Sequence, residues 1–426
     1  MKVTFNREDL LAAITPAVSV AQTKNTMASV DGILFECPPN PRFGELGEHD
    51  GEGIDGDLCR ISAFDLEKGL RTLVPCKIEE EGLYVINTVK ILQIVRSLPS
   101  GEITLEIGDR GKVSVRGGFS EFSITAAPGE DFPSMPRFVG ESRCLVPQRK
   151  LKALISETVF SVAQNDQRVS FNGGLFRIRE GWLTAVGCDG NRLSAAKCEV
   201  TSSENGDRSE MIIPGRFLGE LQKMLRDTED DAELIIGRKN IVFRVDGTYY
   251  FTRMLDAEYM AYERLLPSTY MTQAFVSRAE LLGAVERASI VTEDKLGGNG
   301  RSYVKLDFKG KEVSMSSVSA GGSVFERIPA AIDGADLSIG FNCRYLLEAL
   351  KACPSDCDRL RIRLNTPGMG AVIEPAEGTT FLDAKPDPEV YGERLGNSPE
   401  SPVPQSEREY REDMFMFFVM PIRMNN

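Results

Sequence analysis

The stretch Val3–Val20, VTFNREDLLAAITPAVSV, sets the reading of the whole chain because it returns twice, as LVPQRKLKALISETVFSV at Leu145–Val162 and as FVSRAELLGAVERASIV at Phe275–Val291. Each copy runs from a short strand of alternating polarity, through a basic residue, into an amphipathic helix. The copies start 142 and 130 residues apart. A weaker series follows each of them, at Val89–Leu98, Phe217–Leu225 and Tyr345–Leu350, where an apolar helical stripe has Arg or Lys on its other side. One unit therefore reads strands, helix, strands, helix, strands. A period near 130 residues is too long for a solenoid and implies tandem domains, placed at 1–138, 139–268 and 269–426.

The helices share a layout. Leu10, Leu11, Ile14 and Val18 lie on one face; Phe217, Leu218, Leu221, Met224 and Leu225 repeat the spacing, as do Leu281, Leu282, Val285 and Ala288. Such a stripe packs on a sheet. Opposite it stand Arg149, Lys152 and Ser156 in one helix and Arg216, Glu220 and Lys223 in another. Between helices the chain alternates as strands do, for example at Ile103–Ile107 and Ile241–Val245, with turn signals such as Asp246-Gly247. The fold class is α+β, with antiparallel sheets covered by two helices per unit.

Composition narrows the function. A chain of 426 residues accommodates about three domains. No apolar run reaches the ~20 residues of a membrane span, and charges interrupt the opening MKVTFNREDL, so the expectation is a soluble, cytoplasmic protein with no membrane partner. The nine cysteines form no zinc-like double pair and are expected to be reduced thiols. The net charge of −13 opposes phosphate binding, yet the six helical windows carry thirteen basic against eight acidic residues. That excess suits ordinary solvated helix faces. It also suits a weakly basic surface in an acidic shell, which would draw DNA to one place and repel it elsewhere.

Catalysis finds little support. Gly51-Glu-Gly53-Ile-Asp-Gly56 matches a dinucleotide motif by letter, but no apolar strand precedes it and Glu52, Asp55 and Asp57 would repel a pyrophosphate. With His49 the single histidine, no Ser-His-Asp, Cys-His or two-His metal site can be assembled in one chain. Cys353 and Cys357 are spaced wrongly for a redox pair. Asp65, Asp189 and Asp256 recur near strand ends as turn residues. Neither an active site, nor a metal, nor a cofactor is expected.

Several segments in order carry a family resemblance: MKVTFNREDLLAAI at the start, Phe171–Phe176 (FNGGLF), Cys188–Leu193 (CDGNRL), Ile212-Ile213-Pro214, Glu286–Ile290 (ERASI) and Phe418–Arg423 (FVMPIR). Together they resemble the bacterial DNA polymerase III beta subunit, the sliding-clamp family. The resemblance spans nearly the whole chain. It implies a DNA clamp fold and a head-to-tail homodimer closing as a ring, with the helices lining a central hole. It also implies a processivity factor that encircles double-stranded DNA without reading its sequence. Expected partners are the DNA polymerase III catalytic subunit, the clamp loader and other proteins carrying a clamp-binding motif. A clamp-like binding module that does not encircle DNA is the alternative.

Matching positions give the sites. The resemblance implies DNA contacts at Lys24 and Asn165; the helical-face argument adds Arg7, Arg96, Arg149, Lys152, Arg216 and Lys223. Val169 and Ser170 stand where family aromatics can stack on template bases, a contact worth about 1–3 kcal/mol per base. The implied partner-peptide groove comprises Arg168, Phe171, Cys188, Gly190, Asn191, Arg192, Leu193, Met260, Arg264, Leu265, Tyr345, Phe418, Met420, Pro421 and Ile422. Cys188, Asn191 and Met260 depart from the family's usual Thr, His and Pro, so an altered peptide preference is expected. Phe122, Ile124, Ile290 and Val291 match positions at the dimer seam.

Two insertions lengthen the chain. Cys37–Cys59 carries six acids against one Arg, and Glu377–Asp413 ten acids against four basic residues, with many Pro and Ser. Both read as solvated loops. The second leads into a groove strand and is compatible with a lid that competes with partner peptides.

Overall fold

The computed structural model describes residues 1–21, 32–39, 56–135, 142–202, 208–267, 269–292, 303–319, 322–377 and 413–424. Lys24, His49, the Gly51–Asp55 part of the glycine-rich match and most of both insertions lie outside them.

Each of the three sequence copies is a strand feeding a helix. Lys2–Asn6 leads into α1 (Arg7–Ile14), Ser142–Pro147 into α4 (Gln148–Val159) and Thr272–Ser277 into α6 (Arg278–Thr292). The first copy breaks at Thr15-Pro16, because proline lacks the N–H that continues a helix, and resumes as the short α2 (Ala17–Ala21). The second series forms α3 (Thr88–Ser97), α5 (Gly215–Met224) and α7 (Cys343–Ala352), each directly after a strand. Asparagine caps recur: Asn6 accepts from Glu8 N, Asn87 from Lys90 N and Asn342 from Arg344 N, at 2.8–3.0 Å.

The chain forms two compact units, each built on one antiparallel sheet. Unit 1 comprises Met1–Gln148, Thr201–Gly206 and Lys223–Met254; unit 2 comprises Arg149–Val200, Asp207–Gln222 and Leu255–Asn426. In unit 1 the eight strands of the first repeat close on themselves, since Lys2–Asn6 pairs with both Glu102–Ile107 and Lys68–Glu80. The sheet then continues from Lys68–Glu80 through Thr248–Arg253, Asn240–Val245 and Asp231–Ile236 to Ser142–Pro147. Leu10 and Ile14 of α1 and Ile91, Leu92 and Val95 of α3 join the core inside this closure, as their spacing predicts.

Unit 2 likewise joins strands of two repeats in one sheet. Its sheet runs from Arg208–Pro214 through Gly173–Arg179, Trp182–Cys188 and Arg192–Glu199 to Asp413–Val419, then on to Ala371–Pro375, Arg359–Leu364 and the remaining strands of the third repeat. The middle repeat thus divides its strands between the two sheets. Arg192–Glu199 and Asp413–Val419, far apart in sequence, are neighbours paired over seven residues, with Leu193 opposite Phe418.

Candidate functional site

The residues expected to form the partner groove lie around the meeting of those two strands. Phe171, Cys188, Leu193 and Phe418 are buried in one apolar cluster with Leu175, Val186, Val372 and Met416, and Met260 packs partly buried against it. Leu193 and Phe418 converge because they face each other across the ladder, where side chains on one face lie close enough to touch. Gly370 makes room for the Phe418 ring, since a Cβ there would lie 2.2 Å from it. At the rim, Leu265 is 45% exposed and Met420 40%. Pro421 and Ile422 are half-buried, and the Ile422 N–H donates to Gly340 O at 2.8 Å.

Arg192 anchors one wall. Its Nε donates to Asp189 at 3.0 Å, one Nη to Glu348 of α7, and the other Nη to Phe160 O at 2.6 Å just beyond α4. The guanidinium lies 4.7 Å from the Tyr345 ring centre and 5.3 Å from that of Phe160. Glu348 also accepts from Arg344 at 2.8 Å. Burial works to raise the Glu348 pKa, but the hydrogen bonds from Arg344 and Arg192 prevail and hold it below the usual carboxylate value.

Arg168 lies over the floor. Its Cζ sits 3.9 Å from the Phe171 ring centre, and Nε and Nη2 grip Asp166 at 2.9 and 3.0 Å. Those bonds hold the Asp166 carboxyl down to about 2. The loop beneath is tied to itself: Asn172 accepts from Asp166 N at 2.8 Å and donates to Asp166 O at 2.9 Å. Gly190, at φ +85°, completes the fit, for a Cβ there would come within 3.0 Å of Arg168 Nη2. Cys188 accepts from Gly190 N at 3.4 Å, and burial pushes its thiol up. Asn191, exposed, accepts from Met420 N at 2.9 Å through its backbone oxygen. Arg264 and Leu265 sit in a short 3₁₀ turn, Tyr262–Leu265, whose Glu263 accepts from Arg177 at 2.8 Å. Sequence reading missed Glu348, Asp166, Val372 and Met416. The first two carried a usable signal, an acid three residues after Tyr345 on α7 and another two residues before Arg168.

The residues assigned to DNA divide in three. Arg96, Arg216, Lys223 and Asn165 are exposed, Asn165 with φ +60° in the loop after α4. Arg149 and Lys152 are half-buried, while Ser156 of α4 accepts from Gln222 of α5. Arg7 is spent within the fold, donating to Val95 O at 3.1 Å and Arg96 O at 2.9 Å, the carbonyl end of α3.

The residues expected at the seam lie near two strand edges that are open among the described residues. In unit 1 Ser120–Pro128 pairs along one side with Lys112–Gly117, but on the other only Ala126–Pro128 has a partner among the described residues. Phe122 is exposed there and Ile124 half-buried. In unit 2 Gly322–Gly334 pairs with Thr272–Ser277 only over Ala330–Gly334, leaving that side of Gly322–Pro329 open among the described residues. Phe119, Val318, Phe325 and Ile290 are strongly exposed, and Val291 is half-buried. Among the described residues no helix is long and apolar enough to cross a membrane, and no group of three or more His, Cys, Asp or Glu could hold a metal ion.

Comparison with known proteins supplies the family. Three family models match in order: the DNA polymerase III beta subunit N-terminal domain over residues 53–136, the central domain over 145–260 and the C-terminal domain over 263–384. The beta sliding clamp of Bacillus subtilis is 28% identical over 358 residues, covering 82% of this chain and 90% of its own length. That of Staphylococcus aureus strain N315 is 29% identical over 367 residues, covering 84% and 91%. Among solved structures, the DNA polymerase sliding clamp from Bacillus subtilis superposes with TM-score 0.82 at 22% identity, and the DNA polymerase III beta subunit from Thermotoga maritima with 0.79 at 22%, both over 100% of each chain. The three-domain clamp fold is thereby established, and the chain belongs to the DNA polymerase III beta subunit family, the bacterial sliding clamps.

Proposed function

We propose that this chain is a sliding clamp that encircles duplex DNA as a head-to-tail homodimer and tethers the replicative polymerase through the groove around Phe171, Leu193 and Phe418. The observation that carries it is the ordered match of all three family domains to a threefold strand–helix repeat. The repeats are bounded at 1–138, 139–268 and 269–426. A ring holds DNA by topology, so contacts need only be weak, salt-dependent and confined to phosphates. Exposed Arg96, Arg216, Lys223 and Asn165 suit that task, as do half-buried Arg149 and Lys152 of α4; Lys24 is assigned on resemblance alone. The two open edges supply the seam, Ser120–Ile124 of one protomer adding to Gly322–Phe325 of its partner, with Phe122, Ile124, Ile290 and Val291 packed along it.

The groove takes peptides of the polymerase catalytic subunit, the clamp loader and other partners. Its apolar floor accepts large side chains while Arg168 and Arg192 shape the rim. The chain contributes no active site and works in the cytoplasm. The test is retention on nicked circular plasmid after loading by a clamp loader, on protein first sized in solution. A dimer that stays on the circle and runs off the linearised form is expected. Equal retention on both forms, or a monomer, would overturn encirclement.

A further inference from the structure

In unit 2 the second repeat is joined to the third beside the groove in two ways, by backbone and by charge. The ladder between Arg192–Glu199 and Asp413–Val419 fixes the floor over seven residues. At the wall the join is an ion pair. Arg192, 8% exposed, gives Nε to Asp189 at 3.0 Å and one Nη to Phe160 O at 2.6 Å, and both partners belong to its own repeat. The other Nη reaches across to Glu348 of α7, 156 residues on. Glu348 is the only acid of α7, and its two oxygens serve two cations, Oε2 taking Arg192 and Oε1 taking Arg344 at 2.8 Å. Tyr345 stands three residues earlier on the same helix face, with its ring centre 4.7 Å from Arg192 Cζ. A ring face attracts a cation without fixing its direction, whereas a carboxylate oxygen accepts along the N–H. What Arg192 holds lies in the groove. Asp189 accepts from the N–H groups of Asn191 and Arg192 as well as from Arg192 Nε, which locks the side chain to the turn Cys188–Arg192. That turn sets Gly190 against Arg168 and offers Asn191 O to Met420 N at 2.9 Å.

We infer that Glu348 is a positioning residue of the partner groove, setting where Arg192, Tyr345 and the turn Cys188–Arg192 stand relative to one another. The inference rests on the reading of this groove as the partner site, and it adds a residue that acts on the peptide through Arg192. Asp189 and Phe160 travel with Arg192 whenever the second repeat shifts, so neither can register it against α7. The charge-assisted bond to Glu348 can. With that charge removed, the ladder still holds the floor and the fold. Arg192 is then free to drift by the fraction of an ångström that a complementary site does not tolerate. Glu348 therefore governs recognition more than stability.

The test is anisotropy titration of a labelled polymerase-derived peptide with the full-length protein and its variants. Glu348→Gln, which keeps the shape and an acceptor oxygen, should weaken binding about fivefold or more, with circular dichroism unchanged and the thermal midpoint within about 2 °C of wild type. Lys351→Ala removes an exposed cation of the same helix, paired with Glu286 at 3.2 Å, and should bind as wild type, which separates the loss from α7 surface charge. Arg192→Gln should bind more weakly still, and adding Glu348→Gln to it should cost nothing further, because Glu348 acts through Arg192. Losses that add, a Glu348→Gln midpoint lowered by many degrees, or Glu348→Gln binding as tightly as wild type while Phe418→Ala does not bind, would each overturn the positioning role and leave the groove reading standing. Phe418→Ala binding like wild type would instead overturn the groove reading, and the inference with it.

Discussion

In unit 1 the strand Asp57–Phe64 turns through Asp65–Lys68; in unit 2 Trp182–Cys188 turns through Asp189–Arg192, and the two turns match bond for bond. Asp65 accepts from Glu67 N and Lys68 N at 3.0 and 2.8 Å, and Asp189 from Asn191 N and Arg192 N at 2.8 and 3.0 Å. Lys68 Nζ reaches Ser19 O at 2.8 Å beyond α1, as Arg192 reaches Phe160 O beyond α4. Even the adjoining strand leaves alike, with Arg253 N donating to Glu67 O and Met420 N to Asn191 O, both at 2.9 Å. The side chains differ. Beside the first turn Phe64 and Phe251 pack with ring centres 5.5 Å apart, and Phe251 stands so close to Gly69 that a Cβ there would meet it at 2.5 Å. The aromatics fill that junction. Beside the second turn Cys188 replaces Phe64, Leu193 replaces Gly69, and apolar Met420 and Leu265 stay exposed at the rim. A repeated backbone supplies the frame, and its filling decides whether apolar side chains are closed in or left exposed at the rim.

The largest effect should come from Arg192→Ala. It leaves Asp189 without its cation and Glu348 with Arg344 alone, and removes the bond to Phe160 O, at a cost of roughly 3–5 kcal/mol, whereas Lys68→Ala, which removes the bond to Ser19 O, should cost roughly 1–2 kcal/mol. Denaturant unfolding of the two variants gives the ratio, and equal losses would break the comparison. Next, Phe418→Ala and Phe251→Ala should each cost roughly 3–4 kcal/mol of stability. Only Phe418→Ala should abolish binding of a polymerase-derived peptide, measured by fluorescence anisotropy.

Smaller effects sharpen the turns themselves. Leu66 sits at φ +79° where its counterpart is Gly190. Leu66→Gly should relieve strain and stabilise by up to about 1 kcal/mol, while Gly190→Ala should destabilise by roughly 1–2 kcal/mol. Thermal shifts of opposite sign would confirm the pairing. The smallest effect concerns acid. Asp166 has its pKa depressed to about 2 by Arg168, so its contribution is present above the unfolded carboxyl value near 4 and is lost as pH falls through about 2. Carboxyl NMR shifts should titrate in that low window in the wild type and move back toward 4 in Arg168→Ala.

Much of the architecture was legible because amphipathic periodicity records which face of a segment must be buried. The six repeat helices and the strands before them fall where the copies place them. The break at Pro16 was less visible, since the apolar spacing continues past it through Val18 and Val20. Phe171, Leu193 and Phe418 stood out as groove candidates only through their order along a family pattern; taken singly they are indistinguishable from core. Arg7 was assigned to DNA from its place opposite an apolar stripe. Spacing could not reveal that two carbonyls at the end of α3 claim its donors.

The sequence by itself determined the threefold repeat, the α+β class, the turn chemistry at Asp65 and Asp189, and the family, all of which rest on local spacing and ordered motifs. Tertiary structure alone decided that the middle repeat divides its strands between two sheets and that Arg192–Glu199 pairs with a strand beginning at Asp413. It also decided which turn has exposed apolar side chains beside it and which strand edges stay open among the described residues. Those outcomes depend on contacts between residues hundreds of positions apart, where packing volume and ladder register choose among partners that hydrophobic pattern leaves equivalent.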